Sequence, residues 1–326
     1  MLSTRIVRSV GFDPWYNLAL EEHLLRKVQP QEIMLYLWQN QGTVVIGRNQ
    51  NAWKQCRCQG LEDARRLSGG GAVFHDLGNL NFTFIMTRNN YNLERQLYVI
   101  LQAVRQQGIQ AEFSGRNDLT VAGRKFSGNA FYFEESSAYH HGTILVNVDF
   151  EDMTKYLQVS QAKMRSKAIE SVKARVINLS SLNPGITITG MADSLATAFV
   201  EVYGGEKNVE VVTPDTLDLN ELYQRYASWQ WRYGETPKFD VEFSTRFQWG
   251  EIEIGLSLRK AEVIQAKIYS DAMNPQLIEA MAAALVNCPL QPRALDQALN
   301  SLVVSGPDQV VVEEFRQWLR TQIAAM

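Results

Sequence analysis

Cysteine is scarce. Cys56, Cys58 and Cys288 are the only three in 326 residues, too few and wrongly spaced for a disulfide framework or a CxxC redox pair. The four histidines form no HExxH pattern, and no Cys/His spacing suits zinc. No run of about 18 apolar residues occurs, so no transmembrane helix is expected. The first ten residues lack the apolar core of a secretion signal. A net charge of −3 gives no strong global field toward nucleic acid or a membrane surface. There is no Walker A loop, no GxGxxG opening a helix, no internal repeat and no low-complexity tract. What remains is ordinary: 45% hydrophobic and 21% charged residues, enough chain for a large domain and a small one. The plain expectation is a reduced, cytoplasmic protein.

The stretch at 65–84 carries the strongest local signal. Two arginines, Arg65 and Arg66, precede Leu67, Ser68 and three consecutive glycines, Gly69 to Gly71, and a β-rich run follows. Glycine permits positive φ and close approach of a ligand to bare backbone. Successive N–H groups in such a loop can form an anion site, and flanking arginines add charge. The same glycines also suit a simple hairpin turn.

Periodicity gives a coarse order of elements. Residues 5–10 read as a strand. Asp13 before Pro14 is a helix start, with Leu18, Leu20, Leu24 and Leu25 running to about Lys27. Runs at 33–38 and 43–46, separated by Gly42, predict a hairpin. Asn51 is placed to cap a short helix holding Trp53 and Cys56. A second hairpin is expected from 72–74, a turn at 77–79 and a strand at 80–86. Leu93, Leu97, Ile100, Leu101 and Val104 form a helical stripe ended by Gly108. Segments 119–122 and 125–133 flank a turn at Gly123, and 143–148 is a further strand. Helices follow near 151–157 and 187–203, and Pro214 opens another containing Tyr223 and Tyr226. Beyond a boundary near 237–244 come strands at 245–249, 251–258 and 262–269, then helices starting near Asn274, Arg293 and Pro307. The pattern predicts an α+β (mixed α/β) fold, with a large domain at 1–240 of mixed sheets and helices and a small α+β accessory domain at 241–326.

Three motifs carry a resemblance. The first is the run from Arg65 through Gly69, Gly70, Gly71, Ala72, Val73, Phe74, His75 and Asp76 to Asn79. The second is Gly115 to Leu119, followed by Arg124, Lys125, Phe126, Ser127, Gly128, Asn129, Ala130 and Phe131. The third is His140, His141, Gly142, Thr143, Ile144 and Leu145. Their order and spacing resemble the lipoate–protein ligases, within the wider group that includes biotin ligases. The opening run at 13–22 and the segment 43–51 belong to the same pattern, which covers essentially the whole chain. The connection before Arg65 is shorter than the family pattern. No GRGR-like loop of a biotin ligase replaces the arginine–glycine run.

The resemblance implies an ATP-dependent, AMP-forming ligase. It would join lipoate to a lysine of apo lipoyl domains of 2-oxoacid dehydrogenase E2 subunits and of the glycine-cleavage H protein, with Mg2+ alongside ATP and no prosthetic group. It implies Lys125 as the catalytic lysine, touching both the lipoyl carboxyl group and the α-phosphate. Arg66, Gly71, Ala72, Val73, Phe74 and Lys125 would bind ATP. Lys125, Arg66, Gly70, His75 and His141 would bind lipoate, with His140 structural. The chemistry agrees, since a compact ammonium can neutralise two anions brought together. Arg65 fits either a functional or an ion-pair role. Asp118 fits a Mg2+ ligand or a self-capping Asn-Asp turn. His75 and Asp76, adjacent on a strand, face opposite ways and cannot act as a dyad; Asp76 is expected to brace the loop. The basic stretch Lys163, Arg165, Lys167, Lys173 and Arg175 fits a solvated face or recognition of an acidic acceptor domain. Cys56 and Cys58 could serve as nucleophiles only in an octanoyltransferase, and nothing base-like accompanies them. A transferase using a preactivated lipoyl or octanoyl donor, and a non-catalytic lipoyl-domain-binding relative, are the alternatives. A monomer with no nucleic-acid or membrane partner is expected.

Overall fold

A computed structural model describes residues 2–52, 61–114, 118–157, 174–233 and 239–325. The expected short helix with Trp53 and Cys56, the residues Cys58, Gly115, Lys163, Arg165, Lys167 and Lys173, and Pro237 at the expected boundary all lie outside these. The chain forms two compact units. One comprises 1–46, 52–66 and 72–232, and the other 47–51, 67–71 and 233–326.

The larger unit holds β1 (Ser3–Ser9), β2 (Glu32–Trp38), β3 (Thr43–Ile46), β4 (Glu62–Arg65), β5 (Val73–His75), β6 (Asn79–Thr87), β7 (Glu112–Ser114), β8 (Asp118–Val121), β9 (Arg124–Phe133), β10 (Ser137–Leu145) and β11 (Val209–Val212). Its helices are α1 (Pro14–Lys27), α2 (Leu93–Gln106), α3 (Phe150–Tyr156), α4 (Ile188–Tyr203), α5 (Asn220–Ala227) and α6 (Trp229–Arg232). Eight strands form one sheet in the order β11-β1-β2-β6-β10-β9-β8-β7, and β4-β3-β5 form a second. The large sheet is parallel across β11-β1-β2 and antiparallel from β2 onward. This is a mixed α/β fold.

Local sequence accounts for the elements that frame the site. Asp13 caps α1, its carboxylate accepting from the Trp15 and Tyr16 N–H groups at 2.8 and 3.0 Å, with Pro14 at the first helical position. The α2 stripe buries Leu97, Ile100 and Val104 against Phe82, Phe84 and Phe199 in the main core. Gly204, φ +84°, stops α4. Helix α1 touches β6 and β10 of the large sheet and β4 of the small one, and its Asn17, Glu21 and Glu22 are buried.

Four sequence expectations are corrected. β2 and β3 make no hairpin: β2 is paired on both edges, by β1 and β6, and β3 pairs with β4 and β5. β5 and β6 likewise join different sheets across their turn. Pro214 opens a turn and not a helix, because Thr213 and Thr216 close on each other, and α5 begins at Asn220. The strand expected at 143–148 is β10, ending at Leu145 and reaching back to Ser137, so it carries His140 and His141.

The second unit holds β12 (Val241–Phe247), β13 (Gly250–Arg259) and β14 (Glu262–Ser270) as an antiparallel meander. It continues with α7 (Pro275–Ala284), α8 (Pro292–Asn300) and α9 (Pro307–Ala324). Ile252, Ile254, Leu256, Ile268, Met281 and Phe315 form its core. Residues 47–51 and 67–71 are part of this unit. Ser270 N–H donates to the Asn49 carbonyl at 2.8 Å, Asn49 Nδ2 to the Pro275 carbonyl at 2.8 Å, and Gly70 N–H to the Ala272 carbonyl at 3.1 Å. Among the described residues no helix is long and apolar enough to cross a membrane.

Candidate functional site

Lys125 stands at an irregularity. Between β8 and β9 the register runs Asp118 to Gly128 and Leu119 to Ser127, then Thr120 to Lys125, passing over Phe126. One extra residue in an antiparallel pair is a bulge, which re-aims side chains. Phe126 turns into the core with no exposed area. The Lys125 side chain instead lies over Gly128, where an added Cβ would meet Nζ at 2.8 Å and Cε at 2.9 Å. Lys125 Nζ pairs with Asp118 Oδ1 at 2.8 Å, both side chains about one-third exposed. Asp118 opens β8 and meets the ammonium of the next strand; the residues before it, 115–117, lie outside the described ones.

A second grouping is buried on the neighbouring elements. Arg66 follows β4, its N–H donating to Ile46 O and its Nη1 to Val45 O, both at 3.1 Å. Burial pulls its guanidinium down to about 10, while Tyr139 and Glu21 favour the charged form. Even so it stays a cation at neutral pH. His75 ends β5 and His141 sits on β10, one strand over from Lys125. His141 Nδ1 lies 2.9 Å from Glu21 Oε1, which also accepts from Thr83 Oγ1 at 2.7 Å. The Trp38 indole N–H donates to that same Thr83 oxygen at 3.1 Å. Burial, then the charges of Arg66 and His141, push His75 down to about 3. Arg66, His75, His141 and Glu21 are therefore close electrostatic neighbours.

The other expected residues fall as follows. Phe74 points to the face opposite His75 and stacks on Tyr156 at 6.0 Å. Ala72 and Val73 are half-buried and Gly71 is exposed. The left-handed backbone is at Gly70 (φ +85°), not at Gly71. His140 faces the core, with Gln96 Oε1 3.0 Å from Nδ1 and Asn129 Oδ1 2.8 Å from Nε2. Asp76 accepts from the Gly78 and Asp149 N–H groups, each at 2.8 Å, and so braces the turn after β5. Arg65 is engaged within the fold: its guanidinium donates to the Trp231 and Arg232 carbonyls at the end of α6, and Trp231 Nε1 donates back to Arg65 O at 2.8 Å.

Glu21 escaped the sequence reading. The available signal was an acid within the apolar stripe of α1, a helix whose Glu21 and Glu22 are 2% and 1% exposed. Buried acids are rare unless paired. Among the described residues no group of three or more His, Cys, Asp or Glu side chains could hold a metal.

A family model for the lipoyl protein ligase A/B catalytic domain matches residues 13–200. A second, for the bacterial lipoate protein ligase C-terminus, matches residues 236–319. Among solved structures, the chain is similar to P. falciparum LipL1 in complex with lipoate. The two share 29% identity over 98% of this chain and 100% of that one, with a TM-score of 0.87. It also shares the fold of a chain from the structural analysis of an archaeal lipoylation system, a bi-partite lipoate protein ligase and its E2 lipoyl domain from Thermoplasma acidophilum: 24% identity, 74% of this chain, 100% of that one, TM-score 0.65. A lipoate-protein ligase A bound with ATP aligns at 22% identity over 72% of this chain and 99% of that one, with a TM-score of 0.63.

Proposed function

The chain belongs to the lipoyl protein ligase A/B family, and on that premise we propose that it activates lipoate with ATP and transfers the lipoyl group to a protein lysine. The observation that carries this reading is Lys125: an ammonium about one-third exposed, swung out by a bulge over a bare glycine and held by one carboxylate. The carboxylate of lipoate attacks the α-phosphate of ATP, pyrophosphate leaves, and lipoyl-adenylate forms. Lys125 neutralises the two approaching anions. Arg66 adds a buried cation, and Gly70 and Gly71 offer backbone to phosphate and lipoyl. Ala72, Val73 and Phe74 bed the nucleotide, while His75 and His141 line the lipoyl chain. An acceptor lysine amine, with an unperturbed pKa of about 10.4, then loses a proton and attacks the mixed anhydride, giving an amide and AMP.

Magnesium fits this arrangement. It favours one or two carboxylates completed by phosphate oxygens over an all-protein cage, and Asp118 is a single, part-exposed carboxylate beside the lysine. The ion would supply further neutralisation of phosphate charge. Apo lipoyl domains of 2-oxoacid dehydrogenases and the H protein are the proposed acceptors, supported by the E2 lipoyl domain paired with the Thermoplasma ligase. The test is to mix protein, lipoate, ATP and Mg2+ with an apo lipoyl domain. The expected result is AMP release and a mass gain on the domain. Transfer from synthetic lipoyl-adenylate with none from free lipoate and ATP would identify a transferase instead.

A further inference from the structure

His75 is 3% exposed, and its Nε2 has no hydrogen-bond partner among the described residues. A buried, unpaired polar atom is costly unless something satisfies it. What that atom can do depends on whether it carries the ring proton, and the surrounding amides decide this.

Asn17 Nδ2 lies 3.1 Å from the Gly11 carbonyl and 2.8 Å from the Gln39 carbonyl. Backbone carbonyls only accept, so the Asn17 amide has one orientation. The same Nδ2 donates to Asn40 Oδ1 at 3.0 Å. Asn40 therefore turns its NH2 toward His75, with Nδ2 3.2 Å from His75 Nδ1. Asn81 Nδ2 also lies 3.5 Å from His75 Nδ1, but the Asn79–Asn81 pair has no carbonyl anchor, Asn79 Oδ1 having no partner among the described residues, so the assignment rests on Asn40. An oriented amide donor therefore faces this ring nitrogen. That nitrogen must be the bare one, and in a neutral imidazole the proton then resides on the other.

Resting on the reading of Arg66, His75 and His141 as lipoate contacts, we infer that His75 is fixed as a neutral Nε2–H donor for an acceptor atom of the bound acyl acid, and that Asn17 and Asn40 are positioning residues that set this tautomer. The acceptor is a carboxyl oxygen, or a ring sulfur in lipoate. Burial and the neighbouring Arg66 cation oppose a second proton on the ring, so the donor does not become an imidazolium near neutral pH.

The test uses the full chain labelled with 15N-histidine. Long-range proton–nitrogen correlation spectra report which ring nitrogen is protonated, without any need for ligase activity. The expected result for the ligand-free protein at neutral pH is His75 protonated at Nε2 and bare at Nδ1. Adding lipoate alone is expected to shift the Nε2 resonance. Octanoate should shift it equally if the acceptor is the carboxyl group, and not if it is sulfur. Asn40→Asp, which offers Nδ1 an acceptor of the same size, should move the proton to Nδ1. It should also weaken lipoate binding about tenfold, the effect of one lost hydrogen bond. An Nδ1-protonated ring in the wild-type protein overturns the inference, as does a His75 signal that neither acid moves. Since the tautomer is read without substrate, its failure is distinguishable from failure of the ligase reading.

Discussion

Lys125 and the three glycines make demands that differ atom by atom. Lys125→Ala removes a preorganised charge from the reacting centre, so ligation is expected to fall on the order of a hundredfold or more with the fold intact. Lys125→Arg should not restore it, because a planar fork cannot replace a point charge. Steady-state assays with thermal melts check both. At Gly69 an added Cβ would fall 2.2 Å from Ala272 O and 2.8 Å from Met273 O, backbone atoms that cannot step aside. Gly69→Ala should cost roughly 1–3 kcal/mol by overpacking, measured by urea unfolding. At Gly71 an added Cβ meets nothing within 4 Å and the backbone is not left-handed. Gly71→Ala should leave stability unchanged, and a weaker affinity for ATP in calorimetry would then report a ligand at that backbone. Sequence alone says that glycine permits a positive φ, not which residue of the triplet adopts it. Which glycine carries it depends on Ala272, some two hundred residues away in sequence, beyond any local pattern.

Helix α6 is only four residues long, and isolated turns of this length do not persist unaided. It is held by neighbours. Arg65 donates to its last carbonyls, Arg232 Nη1 meets Asp63 Oδ1 at 2.8 Å, and Trp231 donates back to β4. A cation at a helix C-terminus satisfies carbonyls that otherwise lack donors. Arg65→Met should therefore destabilise the larger unit by about 1–3 kcal/mol, seen as a lower urea midpoint, while ATP affinity is retained. If ATP affinity collapses and stability does not move, Arg65 contacts nucleotide. The elements themselves were legible wherever periodicity and caps coincide, as in α1 and α2. Strand partners were not. β2 and β3 carry the apolar runs and the glycine of a hairpin, but pairing is decided by which edges are already filled, and β6 fills that of β2. Asn17 and Asn40 escaped notice for a related reason: an asparagine in a helix or loop has no signature until the carbonyls it must satisfy are in place.

Across the whole molecule, two histidines set a pH response. His75 and His140 are held neutral by burial, each down to about 3 from 6.5. The unfolded chain takes up protons at these positions below about pH 6.5 and the folded chain does not, so stability is fullest above that value and drains away as pH falls toward 3. The slope is roughly 1 kcal/mol per pH unit for each histidine. Urea midpoints at pH 7.5 and 5.5 should differ accordingly, and a flat profile would refute the assignment. The division into two compact units has its own consequence, for the order in which the molecule can be made. The second unit takes in 47–51 and 67–71 together with everything after residue 232. During synthesis, which proceeds from the N-terminus, these two segments emerge long before the strand and helix that receive them, β14 and α7. The glycine triplet must wait, unanchored, while about two hundred further residues are added. Ribosome-bound chains halted near residue 232 should therefore be cut by protease within the arginine–glycine run, and released full-length chains should resist at the same bonds.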